Sequence, residues 1–168
     1  DTIRFTSATA DVDDEDFANV SGDSIEAIEL SGDGNTSLTL AGSGDAATSS
    51  LAITGADQTA AGSGDTIDVS GMSEAVTINA GSGDDTITGG SSGDIINAGS
   101  GDDVITGGSG SDTIDAGAGA DTLIYADGAD LSGDTGVDGG AGSDTIRFTS
   151  ATADVDDEDF ANVSGDSI

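Results

Sequence analysis

The sequence contains no cysteine and no histidine in 168 residues, and both absences exclude whole classes of chemistry. Without cysteine the chain cannot form a disulfide bond. Without either residue it lacks the common zinc ligands, the usual activated nucleophiles and the side chain that titrates near neutral pH. No apolar run approaches the length of a membrane-spanning helix. We therefore expect no enzymatic activity, no small-molecule substrate and no membrane insertion.

Basic side chains are almost absent as well. The chain has 2 basic and 34 acidic residues, which gives a net charge of −32, and the two basic residues are Arg4 and Arg147. Such a chain repels nucleic acid and attracts cations. Repulsion among so many carboxylates opposes a compact state, so we expect counter-ions to be built into the folded structure. With only four Phe and one Tyr, the core must come from small and β-branched side chains.

Repetition on two scales dominates what the sequence does contain. In the longer repeat, residues 1–25 (DTIRFTSATADVDDEDFANVSGDSI) recur without a substitution at residues 144–168. The offset of 143 residues (144 minus 1) indicates a tandem unit of that length. The chain therefore holds slightly more than one period of an array.

The shorter repeat is a nonapeptide, with five consecutive copies at residues 80–124 and a sixth at residues 139–147. The copies read AGSGDDTIT, GGSSGDIIN, AGSGDDVIT, GGSGSDTID, AGAGADTLI and GGAGSDTIR. Each has a Gly-rich half that suits tight turns and a half whose alternation of apolar and polar residues indicates a short strand. A fixed period favours a repeat architecture over a low-complexity linker.

A strand and a turn of nine residues cannot bury a core alone, but a coil can. With two nonapeptides per turn, residues 18 apart lie directly above one another. Ile87, Ile105 and Leu123 would form one inward ladder, and Ile96 and Ile114 would form the facing one. The sequence therefore predicts an all-β fold, a parallel β-roll or β-helix solenoid.

The same spacing stacks carboxylates at the turns. The aspartates with this spacing form two sets, Asp85, Asp103 and Asp121, and Asp94, Asp112 and Asp130. Like charges about 4.8 Å apart repel strongly unless a cation lies between the turns. A site of carboxylate and carbonyl oxygens favours Ca²⁺ over zinc or copper, and Mg²⁺ suits it less because Mg²⁺ keeps several waters. We expect several Ca²⁺ ions between successive turns.

The nonapeptides resemble the calcium-binding repeat GGxGxDxUx of RTX (repeats-in-toxin) proteins, in which U is a large apolar residue. GGSGSDTID and GGAGSDTIR match fully, three copies replace only the first Gly, and GGSSGDIIN has Ser92 in place of a loop glycine. The resemblance implies a β-roll with Ca²⁺ between turns and folding that waits for extracellular calcium. It also implies secretion by a type I system of a Gram-negative bacterium.

The resemblance further implies ligands at the matching positions. Carboxylates would come from Asp85, Asp94, Asp103, Asp112, Asp121 and Asp144. Backbone carbonyls would come from Gly81, Gly83, Gly90, Gly99, Gly101, Gly108, Gly110, Gly117, Gly119, Gly140 and Gly142. Asp84 and Asp102, at a variable position, are expected to be solvated. Asp65 lies in a shortened copy and would cap the stack if an insertion near Gly71 and Met72 restores the register.

The flanking segments are less regular. Residues 17–79 keep apolar-x-apolar pairs such as Ile28/Leu30, which favours wider solenoid turns, with a separate β-sandwich as the alternative. At residues 126–138 the register slips by five, so we expect a loop in which Asp127, Asp130, Asp134 and Asp138 are candidate extra ligands. We expect residues 1–25 to be the end of one junction segment, identical to 144–168. Irregular turns follow at 26–79, the RTX roll at 80–125, a loop plus final nonapeptide at 126–148, and the start of the next period at 149–168.

These features predict a calcium-dependent extracellular structural repeat that forms a fibre, an adhesin stalk or a surface layer. Identical units would stack end to end, because a solenoid has two open ends that need covering. About eight turns per period would give an axial rise of roughly 40 Å. The alternative is an accessory RTX module of a secreted enzyme or toxin.

Overall fold

The computed structural model describes residues 2–5, 11–12, 27–31, 35–40, 51–55, 63–150 and 159–165, and there the chain runs through two parallel sheets. Sheet I contains β1 (Thr2–Phe5), β3 (Ala27–Leu30), β5 (Leu51–Thr54), β7 (Val76–Ser82), β9 (Ile95–Ser100), β11 (Thr113–Gly119), β13 (Gly136–Asp138) and β16 (Val163–Ser164), with β14 (Ala141–Gly142) beside β11. Sheet II contains β2 (Asp11–Val12), β4 (Ser37–Thr39), β6 (Thr66–Asp68), β8 (Thr86–Thr88), β10 (Val104–Thr106), β12 (Thr122–Tyr125) and β15 (Thr145–Phe148). In the two copies of the 25-residue segment, residues 1, 6–10, 13–25, 151–158 and 166–168 lie outside the described residues.

The chain alternates between the two sheets, and each strand pairs in parallel with the strand one turn away. Ile105 lies in register between Ile87 and Leu123 in sheet II, and Ile114 lies beside Ile96 in sheet I. These side chains are at most 2 % exposed and form part of one continuous aliphatic core. The predicted parallel β-roll and its two inward ladders are confirmed.

The length of a turn changes along the chain. Register partners are 18 residues apart where the nonapeptides are regular, as in Ile96 beside Ile114. In the N-terminal part they are 25 residues apart in sheet I, as in Ile28 beside Ile53, and 29 apart between β4 and β6. The strands described there continue both sheets, so this part is a solenoid with wider turns, as expected, and the β-sandwich alternative is wrong.

The number of turns differs from the sequence-based expectation. Six full turns separate β1 from β13 in sheet I, and β15 follows half a turn later in sheet II. The 143-residue period therefore makes six and a half turns, and the expected eight is wrong. The wide N-terminal turns account for the difference, because they use more residues per turn than the nonapeptides do.

The register slip near residue 130 contains a short helix rather than a plain loop. Helix α1 (Gly128–Gly133) is capped by Asp127, whose side chain accepts a hydrogen bond from the backbone N–H of Asp130. Leu131 from this helix is buried in the core cluster. The slip of five residues is confirmed, because Thr122 pairs with Thr145, 23 positions later. Among the described residues, no helix is long and apolar enough to cross a membrane.

Candidate metal centre

The predicted ligands lie on two opposite edges of the solenoid. The first edge, where the chain passes from sheet I to sheet II, contains the turns ending at Asp65, Asp85, Asp103, Asp121 and Asp144. The second edge, where the chain returns to sheet I, contains the turns ending at Asp94 and Asp112 and the segment with helix α1. Both edges form because each motif aspartate immediately precedes a strand.

Carboxylates on the first edge form a hydrogen-bonded ladder. The backbone N–H of Asp85 donates to Oδ1 of Asp103 (2.7 Å), and that of Asp103 donates to Oδ1 of Asp121 (2.9 Å). The ladder continues upward to Asp144 and downward to Asp65, whose own N–H donates to Oδ1 of Asp85 (2.6 Å). All five aspartates are at most 7 % exposed. The 20-residue step from Thr66 to Thr86 brings the Asp65 turn into register, as a two-residue insertion requires.

In four of these carboxylates the second oxygen has no hydrogen-bond partner. Oδ2 of Asp85, Asp103, Asp121 and Asp144 is buried without a hydrogen bond. A buried charge that is neither paired nor hydrogen-bonded is strongly disfavoured, so each oxygen requires a proton or a cation. This row of four oxygens, about one strand spacing apart, fits a series of bound cations.

Burial raises the pKa of three of these carboxyl groups, those of Asp85, Asp103 and Asp121. It raises the pKa of Asp103 from 3.8 to about 7, with further increases from the charges of Asp85 and Asp121 and a partial decrease from the hydrogen bond to Asp85 N–H. The pKa of Asp85 rises to about 6, again mainly by burial, and that of Asp121 is also raised. Without a cation, ionised carboxylates therefore destabilise this edge at neutral pH.

Glycines give the turns their close stacking. Every glycine predicted to offer a carbonyl has a positive φ except Gly90. A Cβ at Gly99 would overlap the carbonyl oxygen of Gly81, and a Cβ at Gly117 would overlap that of Gly99. Only glycine therefore allows one turn to lie so close to the carbonyls of the turn before it.

On the second edge the ladder has a different register from the one expected. Oδ1 of Asp112 accepts from the N–H of Asp94 (2.8 Å), and Oδ1 of Asp134 accepts from the N–H of Asp112 (2.9 Å). Asp134 thus occupies the stacked position predicted for Asp130, because helix α1 lengthens this step from 18 to 22 residues. Oδ2 of Asp130 instead accepts from the N–H of Ala126, at the start of the helical segment.

Second-edge carboxylates also differ chemically from those of the first edge. Oδ2 of Asp94 accepts from the N–H of Gly90 (2.7 Å), and Oδ2 of Asp134 accepts from the hydroxyl of Tyr125 (3.1 Å). Burial raises the pKa of all three ladder aspartates, to about 7 for Asp112. At Asp94 and Asp134, protein donors therefore occupy the oxygen that is free on the first edge.

Sequence reasoning gave two residues too little weight. The spacing predicts Asp134 only as a candidate extra ligand, although Ser132-Gly133-Asp134 repeats the letters of residues 92–94. The N–H and the hydroxyl of Thr36 both donate to Oδ1 of Asp65, and these bonds end the first-edge ladder. No sequence signal marks Thr36, because its turn has no nonapeptide.

The acids at the variable position are exposed, as expected, but each joins two turns. Oδ1 of Asp84 accepts from the N–H of Asp102 (3.0 Å), and Oδ1 of Asp102 accepts from the N–H of Ala120 (2.8 Å). Within the described ranges, no three acidic side chains converge on one point. A bound ion must therefore draw much of its coordination from backbone carbonyls, which suits the all-oxygen preference of Ca²⁺.

The model of the RTX calcium-binding nonapeptide repeat matches the chain in four overlapping copies, at residues 69–96, 77–105, 88–123 and 97–131. Residues 69–131 are thus similar to RTX repeats. RTX repeats are calcium-binding motifs, so the family and the unpartnered oxygens of the first edge agree on the metal. Neither the search of curated proteins nor the search of solved structures found a match.

Proposed function

We propose that the chain is one period, with the start of the next, of a calcium-dependent extracellular structural array, which is a fibre, an adhesin stalk or a surface layer. The observation that carries this proposal is the recurrence of residues 1–25 at 144–168 in a chain that coils throughout its described length. A solenoid that begins and ends in the same sequence can be extended by copies of itself without a linker.

Calcium would couple to folding through the first edge. Four buried Oδ2 atoms lack a partner, and burial raises the pKa of Asp85, Asp103 and Asp121. Folding without metal at neutral pH must protonate these groups or bury their charge, and both cost free energy. A cation between the turns removes that cost, so binding energy becomes folding energy. The chain would thus stay expanded until it meets extracellular calcium after type I secretion.

The partners we propose are identical neighbouring periods, and we propose no catalytic role. The motif aspartates lie in the two ladders, where backbone N–H groups hold one oxygen of each. The single arginine of the first period, Arg4, is paired with Glu29, which leaves that period no other basic side chain to hold an acidic substrate.

Circular dichroism tests the calcium step. The chain in EDTA should be largely disordered and should gain β signal in millimolar Ca²⁺. A spectrum that is the same with and without Ca²⁺ would contradict the mechanism.

Electron microscopy of a chain with several periods tests the array. Filaments with an axial repeat set by the 143-residue period support the proposal. Monodisperse globular particles would instead favour an accessory RTX module of a secreted enzyme or toxin.

A further inference from the structure

Two copies of one strand lie in opposite sheets. Strands β1 and β15 have the same sequence, Thr-Ile-Arg-Phe. Strand β1 pairs with β3 in sheet I, whereas β15 pairs with β12 in sheet II. In an array each such strand lies at the boundary between two periods. Strand β1 shows its contact with the period that follows it, and β15 shows its contact with the period that precedes it.

We propose that consecutive periods of the array are rotated by half a turn, so that sheet II of one period continues as sheet I of the next. This inference rests on the proposed array and adds its geometry. Six and a half turns separate β1 from β15, so the strand that opens a period in one sheet closes it in the other. An integral number of turns would have returned the strand to its starting sheet.

Among the described strands, none covers β15, the last strand of sheet II at the upper end of the solenoid. Ile146 and Phe148 are only partly buried, although both pack against the core. A cavity of about 450 Å³ lies at this end, lined by Asp144, Thr145, Ile146, Phe160 and Val163. Apolar side chains beside an open strand edge mark a surface that another strand can cover.

The pairing of β1 with β3, at the lower end of the solenoid, indicates which strand fits the upper end. Along β1 and β3, Ile3 is in register with Ile28 and Phe5 with Leu30. Because β15 repeats the sequence of β1, the next copy of β3 covers Ile146 and Phe148 in that register. The occupant of the open end is therefore the Ala-Ile-Glu-Leu strand of the following period.

The single arginine of each period marks the same seam. Arg4 Nε donates to Oε2 of Glu29 across β1 and β3, at 2.6 Å. Arg147, which is exposed on β15, meets the next copy of Glu29 in the same way. An exposed pair of this kind contributes little stability, but it disfavours registers that would bring two acids together.

The half-turn defines the dimensions of the array. Six and a half turns at about 4.8 Å give a rise of about 31 Å per period, and a given side chain returns to the same side about every 62 Å. Equivalent residues of neighbouring periods lie on opposite faces.

Engineered disulfides in the 168-residue chain test the sheet assignment, since it has no native cysteine. Ile124→Cys with Arg147→Cys should cross-link in Ca²⁺, because these residues are in register in sheet II. Asp138→Cys with Arg147→Cys should not cross-link, whereas the control pair Asp138→Cys with Ser164→Cys should, because Asp138 pairs with Ser164. Cross-linking of Asp138 to Arg147 would place β15 in sheet I and overturn the half-turn.

Labelling a four-period chain tests the array itself. Ile95 is 54 % exposed on β9. Gold attached to Ile95→Cys should therefore alternate between the two sides of the filament, about 31 Å apart along its axis. Labels that all lie on one side of an intact filament would overturn the half-turn and leave the array standing. Separate globules would overturn the array, and the half-turn with it.

Discussion

Replacing Asp103 by Asn should stabilise the calcium-free fold and weaken its response to calcium. Oδ1 of Asp103 accepts the N–H of Asp85, while Oδ2 is buried without a partner. An asparagine keeps the first interaction through its carbonyl oxygen and removes the charge. It also removes one carboxylate from the cation sites above and below this turn.

The size of the stabilisation follows from the raised pKa. In the folded state the pKa of Asp103 is about 7, against an ordinary value of 3.8. Because the folded-state pKa is the higher one, ionisation destabilises the fold progressively between those two values and fully above the upper one. Near pH 8 the cost is about 4 kcal/mol, and near pH 5 about 2 kcal/mol remains.

Urea denaturation followed by circular dichroism measures both effects. In EGTA near pH 8, Asp103→Asn should raise the free energy of unfolding by up to about 4 kcal/mol, and the gain should fall by about half near pH 5. An excluded osmolyte can bring the wild-type transition into range if the chain is unfolded without metal. In saturating Ca²⁺ the order should reverse, with the wild type more stable than the variant.

Asp102→Asn is the matched control for this prediction. It makes the same charge change on an exposed neighbour and preserves the acceptor for Ala120 N–H. The control should leave the calcium-free transition nearly unchanged. An equal gain from Asp102→Asn would show that net charge, rather than a buried unpaired oxygen, sets the stability. A loss from Asp103→Asn without metal would refute the argument directly.

Three further substitutions test the turns, the core and the second edge. Gly101→Ala should lower the free energy of unfolding by about 1–3 kcal/mol from backbone strain alone, because φ is +134° there. Gly136→Ala should be tolerated, because a Cβ at Gly136 would meet open space. Calcium titrations followed by circular dichroism compare the two variants. In urea denaturation, Ile105→Ala should lower the free energy of unfolding by about 2–5 kcal/mol, because Ile105 is buried. The exposed Ile95→Ala should lower it by less than about 0.5 kcal/mol. Tyr125→Phe removes the hydroxyl that donates to Oδ2 of Asp134 on the second edge. Calorimetry should then detect tighter Ca²⁺ binding at that edge. Unchanged binding would show that the hydroxyl does not compete with the metal.

Where the chain repeats, the sequence was sufficient to predict its three-dimensional arrangement. A constant period of nine residues fixes which side chains stack, so the ladders through Ile87 and Ile96 could be predicted from spacing alone. Where the period breaks, spacing loses that power. The N-terminal turns share only short apolar pairs. These pairs predict where strands lie, but they do not predict how many residues separate one turn from the next.

Asp130 illustrates the same limit at a single site. Its distance of 18 from Asp112 predicted a place in the ladder, but that distance is meaningful only if the intervening chain keeps the nonapeptide conformation. Asp127 caps a helix instead, and the additional residues of helix α1 bring Asp134 to the stacked position. The hydroxyl of Tyr125 could not have been placed on Asp134 from sequence, because the contact depends on the path of that helix.

The two edges, combined with the proposed half-turn, determine where calcium would lie along an array. Free Oδ2 atoms line the first edge from Asp85 to Asp144, whereas Asp94 and Asp134 on the second edge are engaged by protein donors. We therefore expect stronger Ca²⁺ binding at the first edge. Because each seam exchanges the sheets, the first edge of one period continues as the second edge of the next. Strong calcium ladders would then alternate between the two sides of the filament, which separates like-charged rows that would otherwise run uninterrupted along one side.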